Sequence, residues 1–180
     1  MDIVSHALWG YASLRWRGVR PARAGALAGA TPDLLYFVPS TVERVVEQGW
    51  SGLRVGSEPG IWSSDGPPLP PALVEAYERY YVWTHSLVVL AAAVAIILLA
   101  RRRAWAWLSI PYGLHVVMDI PTHERYQTPF LYPLSTFTVE GVSWGHPLIF
   151  WPNWVAIFLV LYWLRRRYGR REAAPTNGGP

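Results

Sequence analysis

Three long apolar stretches, residues 83–100, 104–120 and 147–164, limit what this chain can become. Each is long enough, or nearly so, to cross the roughly 30 Å hydrocarbon core of a bilayer as a helix. In hydrocarbon every backbone N–H and C=O must find a partner within the protein, so such stretches fold as helices. A fourth stretch, 24–39, is shorter and is interrupted by Thr31-Pro32-Asp33. A fifth, 3–14, is too short to span unaided and reads as a short, tilted or re-entrant helix. The expected fold class is all-α: a polytopic helical membrane protein with about four to five membrane-embedded helices and two outer-face loops.

Arginine placement gives the expected orientation. Four arginines (Arg15, Arg17, Arg20, Arg23) lie between the first two segments, three (Arg101, Arg102, Arg103) between two long segments, and five (Arg165, Arg166, Arg167, Arg170, Arg171) after the last. Alternation of the segments puts all three clusters on one side, which the positive-inside rule makes cytoplasmic. Every acidic residue except Glu172 then falls at or near the outer face. The basic clusters are thus read as topology signals, and nucleic acid is not an expected partner. The 11 Trp and 10 Tyr suit the two membrane–water boundaries. The chain has no cysteine, which excludes disulfides and thiolate metal sites. Asp2 and the lack of a basic n-region argue against a cleaved signal peptide.

Between the spans, residues 40–82 form an expected outer loop. Within it, 41–50 reads as a separate amphipathic helix at the interface, with Val42, Val45 and Val46 on one face and Glu43, Arg44 and Glu47 opposite. Residues 51–70 are rich in Gly, Ser and Pro and read as irregular. Pro71 opens a helix whose stripe of Leu73, Val74, Tyr77, Tyr80 and Tyr81 leads into 83–100. Pro111 predicts a kink, Pro121 a helix end, and 122–145 a second outer loop. One helical membrane domain over 1–168 is followed by a tail, 169–180, that reads as disordered and cytoplasmic.

Against this background the ionisable residues stand out, because a charged group at membrane depth costs roughly 2.5–3.5 kcal/mol on insertion scales. His115 and Asp119 are spaced i, i+4 and share one helix face. The expected topology brings His6, Asp33, His85, His123 and His146 to the same outer face. Imidazole nitrogen and carboxylate oxygen in that number suit zinc, with manganese or iron as alternatives. Taken singly, an interfacial histidine is more often an ordinary polar boundary residue, Asp33 a helix cap and His115–Asp119 a structural hydrogen bond. Their coincidence across several segments carries the metal reading.

At these residues the chain resembles the YdjM-like family, small proteins regarded as inner-membrane, metal-dependent hydrolases. The resemblance rests on Met1-Asp-Ile-Val-Ser-His6, Gly29-Ala-Thr-Pro-Asp33, Thr84-His-Ser86, Gly113-Leu-His-Val-Val-Met-Asp-Ile-Pro-Thr-His123 and Leu131-Tyr-Pro-Leu-Ser135. That family is distantly similar to zinc-dependent phospholipases C and fungal single-strand nucleases, all-helical enzymes with multinuclear zinc sites. The resemblance implies that His6, Asp33, His85, His115 and Asp119 are metal ligands, with His123 and His146 completing further positions. Two departures leave open whether one position is altered or missing: Tyr80–Trp83 stands where members often carry His-Arg, and Leu35 where many carry a second Asp.

The expected function is a membrane-bound, zinc-dependent hydrolase acting at the outer face of the cytoplasmic membrane. A phosphoester, such as a phospholipid head group, is the expected substrate class. Asp33 and Asp119 are catalytic candidates, with Asp33 open to a role as ligand or as general base. Arg125 is a candidate contact to an anionic substrate group, its bland reading being an ordinary interfacial arginine. Glu124 and Glu140 are weaker candidates for proton transfer. The rivals are a non-enzymatic protein whose metal serves structure, sensing or transport, haem ligation by facing histidines, and a purely structural membrane module.

Overall fold

The computed structural model describes residues 1–54 and 68–172, with side chains through residue 169. The described residues are helical with irregular connections and contain no strand, as the apolar periodicity requires. Helices α1 (Ile3–Leu14) and α2 (Val19–Gln48) form an antiparallel hairpin, turned by a 3-10 segment at Arg15–Arg17 and by Gly18 at φ 113°. Gly18 is one of the positions where only glycine adopts the backbone without strain. Helix α3 (Pro71–Thr84) and α4 (Leu87–Leu99) follow, bent by 43° at their junction. Short α5 (Arg103–Ala106) leads into α6 (Ser109–Asp119), and α7 (Pro147–Glu172) completes the bundle.

Glycines set the depth of the α1–α2 contact. A Cβ on Gly10 would lie 2.3 Å from the Gly25 carbonyl oxygen, and one on Gly29 would lie 2.5 Å from the carbonyl oxygen of His6. The two backbones touch there, as small-residue helix interfaces in membranes do. Helix α7 is tied to α1 by a polar chain: Trp9 Nε1 donates to Asn153 Oδ1 at 2.9 Å, and Asn153 Nδ2 donates to Ser5 Oγ at 2.9 Å. Ile157 and Leu164 of α7 are buried, while its other face turns large apolar side chains outward, with Leu148 76% and Phe158 67% exposed. A helix apolar on its outward face is suited to lipid.

Among the described residues one helix, Pro147–Gly169, is long and apolar enough to cross a membrane, and the bent pair Pro71–Thr84 and Leu87–Leu99 supplies a second if it acts as one span. The other expected spans have different shapes. Stretch 104–120 is split into α5 and α6, and 11-residue α6 reaches only about 16 Å at 1.5 Å per residue. Helix α1, with 12 residues, is about 18 Å long. Helix α2 has length to spare, with 30 residues, but its charged and polar positions dilute its hydropathy.

Four further expectations are corrected. Thr31-Pro32-Asp33 does not interrupt the helix, and 41–50 is not a separate interfacial helix: α2 runs unbroken through Pro32 and Pro39 to Gln48 before a 3-10 turn at Gly49–Arg54. Arg44, expected on a polar outward face, is buried, because that turn folds back and places the Gly52 carbonyl 3.4 Å from its Nε. The tail expected to be disordered from residue 169 remains helical through Glu172, while 173–180 lie outside the described residues. The irregular reading of 51–70 falls largely on 55–67, also outside them.

The arginine clusters share one end of the molecule. Arg17 lies over the Trp107 ring at 4.1 Å from its centroid, and Arg15 over Tyr168 at 5.7 Å, linking the ends of the α1–α2, α5 and α7 segments. The opposite end holds the buried core of Tyr36, Leu73, Ala76, Tyr81 and Tyr126.

Candidate metal centre

Three parts of the fold bring four candidate ligands to one point. Asp33 comes from the middle of α2, His85 from the α3–α4 bend, and His115 with Asp119 from the last turns of α6. The bend exposes His85 to the cluster because the Ser86 hydroxyl caps α4, accepting from Val88 N and Val89 N, while donating to the Tyr132 carbonyl. Leu87 N bonds the Phe130 carbonyl at 2.9 Å, so loop 128–135 is wedged into the break and satisfies the backbone there.

One ligand atom from each of Asp33, His85, His115 and Asp119 lies within 4.8 Å of all the others, and all four residues are buried. His85 Nε2 and His115 Nε2 are 3.1 Å apart. Asp33 Oδ1 is 3.6 Å from His85 Nε2 and 3.7 Å from His115 Nε2. Asp119 Oδ2 is 3.6 Å and 3.2 Å from the same two atoms. Ligands about 2.1 Å from a tetrahedral zinc stand about 3.4 Å from one another.

The outer partners of the two histidines decide their tautomers. His115 Nδ1 sits 2.6 Å from the Gly29 carbonyl, which only accepts, so Nδ1 carries the proton and Nε2 presents a lone pair. Thr84 Oγ1 gives its hydrogen to the Tyr80 or Tyr81 carbonyl and therefore accepts from His85 Nδ1 at 2.9 Å. His85 Nε2 is then bare as well. Two imidazole lone pairs and two carboxylates face one another in a dry interior, and Asp33 Oδ2 and Asp119 Oδ2 have no hydrogen-bond partner. This concentration of unprotonated donors fits a cation, and the carbonyl and hydroxyl behind each histidine are the supports metal-binding imidazoles use.

Two further histidines flank the four. His6 Nε2 lies 2.9 Å from Asp119 Oδ1 but off the line of a hydrogen bond, and both its ring nitrogens lack partners. Its ring stacks on His115 at 3.6 Å between centroids. His123 Nδ1 is 3.6 Å from Asp119 Oδ1, and burial pushes its imidazole down to about 4, against the opposing pull of Asp119. The Met1 α-amine also bonds Asp119 Oδ1. A cavity of about 230 Å³ opens beside the cluster, lined by Asp33 and His123 and walled by Tyr36, Tyr81, Tyr126 and Trp144.

Of the expected site residues, the fold gathers His6, Asp33, His85, His115, Asp119 and His123. It does not gather His146, whose exposed ring accepts from Leu148 N at 3.3 Å at the start of α7. Arg125 borders a separate small recess with His123, Glu124 and Trp144, and does not line the cavity beside Asp33. Glu140 is exposed on the loop. Several contributors went unrecognised in the sequence. Tyr81 stacks on His85 at 3.7 Å, Gly29 supplies the carbonyl behind His115, and Asp2 caps α1 by accepting from Ser5 N. The Asp-x-x-Ser spacing before an apolar run signals that cap. Tyr81 had no such signal beyond its place in an apolar stripe.

The architecture defines an all-helical protein that sets a buried histidine–aspartate cluster beside one or two helices able to cross a bilayer. The profile of one family, described as YdjM inner membrane protein, matches residues 1–177, and the chain belongs to that family. No curated protein and no solved structure matches it significantly.

Proposed function

We propose that the protein is a multi-pass, inner-membrane, metal-dependent hydrolase whose site faces away from the cytoplasm and acts on a phosphoester. Lipid head groups are the substrate class nearest to hand. In this reading about four to five helices are embedded, α1 and α6 as short elements buried among longer ones, and the shared arginine end is cytoplasmic. The observation that carries the proposal is the set of inward-facing, unprotonated donors from Asp33, His85, His115 and Asp119 at the edge of a cavity.

A zinc ion bound there would acidify water toward neutral pH and polarise a phosphoryl oxygen. The chain's own residues supply the rest. Asp33 is both a candidate ligand and a cavity-lining group, so it is placed to accept a proton from water entering that space. His123 lines the same cavity and stays neutral near pH 7, which leaves it able to complete a second metal position. The aromatic walls exclude bulk water and give an apolar group somewhere to lie. No arginine lines the cavity among the described residues, so neutralising an anionic substrate falls to the metal.

A purely structural or sensing metal is the second reading. Structural zinc sites are closed, whereas catalytic ones keep an accessible position, and the cavity beside Asp33 favours the latter. Haem fits poorly, since His85 and His115 Nε2 converge to 3.1 Å instead of facing across a porphyrin. The test is release of phosphorylated head group from mixed phospholipid vesicles by zinc-loaded protein, beside Asp119→Asn. Hydrolysis by the wild type alone is expected. Stoichiometric zinc with no hydrolysis across phospholipids and simple phosphodiesters would move the assignment to a structural or sensing site.

A further inference from the structure

A second cavity, of about 310 Å³, lies toward the arginine end, away from the ligand cluster. Its walls come from α2, α4 and the α5–α6 segment, chiefly Ala28, Leu90, Ala93, Ile97, Trp105 and Leu108. Apart from the indole N–H of exposed Trp105, the polar side chains in its lining are already satisfied. Thr31 Oγ1 donates to the Leu27 carbonyl at 2.7 Å, Ser109 Oγ to Ala106 at 2.6 Å, and Tyr112 OH to Thr84 at 2.7 Å. These three groups ask for no polar ligand, and one wall, α4, belongs to the bent candidate span. Ile97 and Trp105 are both in its lining, and the turn joining those two residues carries Arg101, Arg102 and Arg103. All three are exposed, and none has a carboxylate within ion-pair distance among the described residues.

We propose that this groove holds one acyl chain of an anionic phospholipid, with its phosphate on the Arg101–Arg103 turn. The apolar groove alone would accept any lipid chain. The basic turn at one end selects the headgroup charge and the leaflet, the one on the arginine side. Basic sites at helix ends adjoining the membrane bind anionic headgroups, and each nearby arginine contributes about fivefold in affinity. This site lies apart from the metal ligands and does not depend on the hydrolase reading.

The test is native mass spectrometry of detergent-purified protein offered phosphatidylglycerol or phosphatidylcholine with identical chains. Wild type should retain the anionic lipid at least about fivefold better. Replacing Arg101, Arg102 and Arg103 by Gln together should erase that preference while leaving chain binding. Ala93→Phe, which fills the groove, should lower retention of both lipids about tenfold. Gln at Arg165, Arg166 and Arg167 should leave the preference intact, which separates this turn from basic charge in general. Equal retention of the two lipids by wild type, or a preference that survives in the Arg101–Arg103 variant, would overturn the assignment.

Discussion

Gly29→Ala should damage stability and the ligand cluster together, because one glycine serves both. A Cβ at residue 29 would stand 2.5 Å from the His6 carbonyl oxygen, about 0.9 Å short of the 3.4 Å at which ordinary contact begins. The obstacle is helix backbone, so α1 must withdraw from α2 as a unit. That movement carries His6 away from Asp119 and from its stack on His115. It also disturbs the Gly29 carbonyl that holds His115 Nδ1 at 2.6 Å. Overpacking of this kind costs about 1–3 kcal/mol, a fall in melting temperature of roughly 3–10 °C for a chain of this size. Loss of an outer-shell partner weakens metal affinity by about 10–100-fold. The assay is thermal melting in detergent with metal titration, beside Gly113→Ala. The Cβ at 113 would meet only the flexible end of Leu90 at 3.3 Å, so that variant should melt and bind metal as wild type does. A Gly29→Ala protein with wild-type melting and unchanged metal affinity would refute the reasoning.

Asp33→Asn and Asp119→Asn each remove a carboxylate with a bare buried oxygen, and each should lower zinc affinity at least tenfold by isothermal titration, with helicity unchanged. Ser86→Ala removes the α4 cap and its bond to the Tyr132 carbonyl, and denaturant titration should show a loss of about 1–2 kcal/mol. Tyr81→Phe keeps the stack on His85 but loses the 3.0 Å bond to Thr128 Oγ1, for a smaller loss of about 1 kcal/mol. His146→Ala should leave metal stoichiometry untouched, since that ring caps its own helix.

The residues gathered at the candidate site were legible wherever local spacing or span order fixed position. His115 and Asp119 follow from helix period alone, and Asp33, His85 and His6 follow from which ends of the apolar stretches share a face. His146 occupies the same kind of position in sequence, yet its side chain serves the local helix end, a choice that topology does not determine. Arg125 follows His123 by two residues, and the loop turns it into a different recess.

Shape was harder to read than composition. Pro32 and Pro39 look like helix breaks, but Pro32 is buried in a packed face of α2 and the helix continues through both. The break at His85–Ser86 carries no proline or glycine. It exists because a distant loop, through Phe130 and Tyr132, supplies the backbone partners that the helix gives up. Arg44 shows the same limit, since helical period puts it with Glu43 and Glu47 until the turn at Gly49–Arg54 covers it. Each of these depends on a contact between segments that no window of sequence contains.

The central claim is that Asp33, His85, His115 and Asp119 hold a metal ion. Elemental analysis of detergent-purified wild type beside His115→Ala, after adventitious metal is removed, tests it most directly. At least one tightly held zinc equivalent in the wild type, sharply reduced in the variant, is the predicted result. Wild-type protein that folds normally and retains no metal, or a variant that retains as much as the wild type, would contradict it.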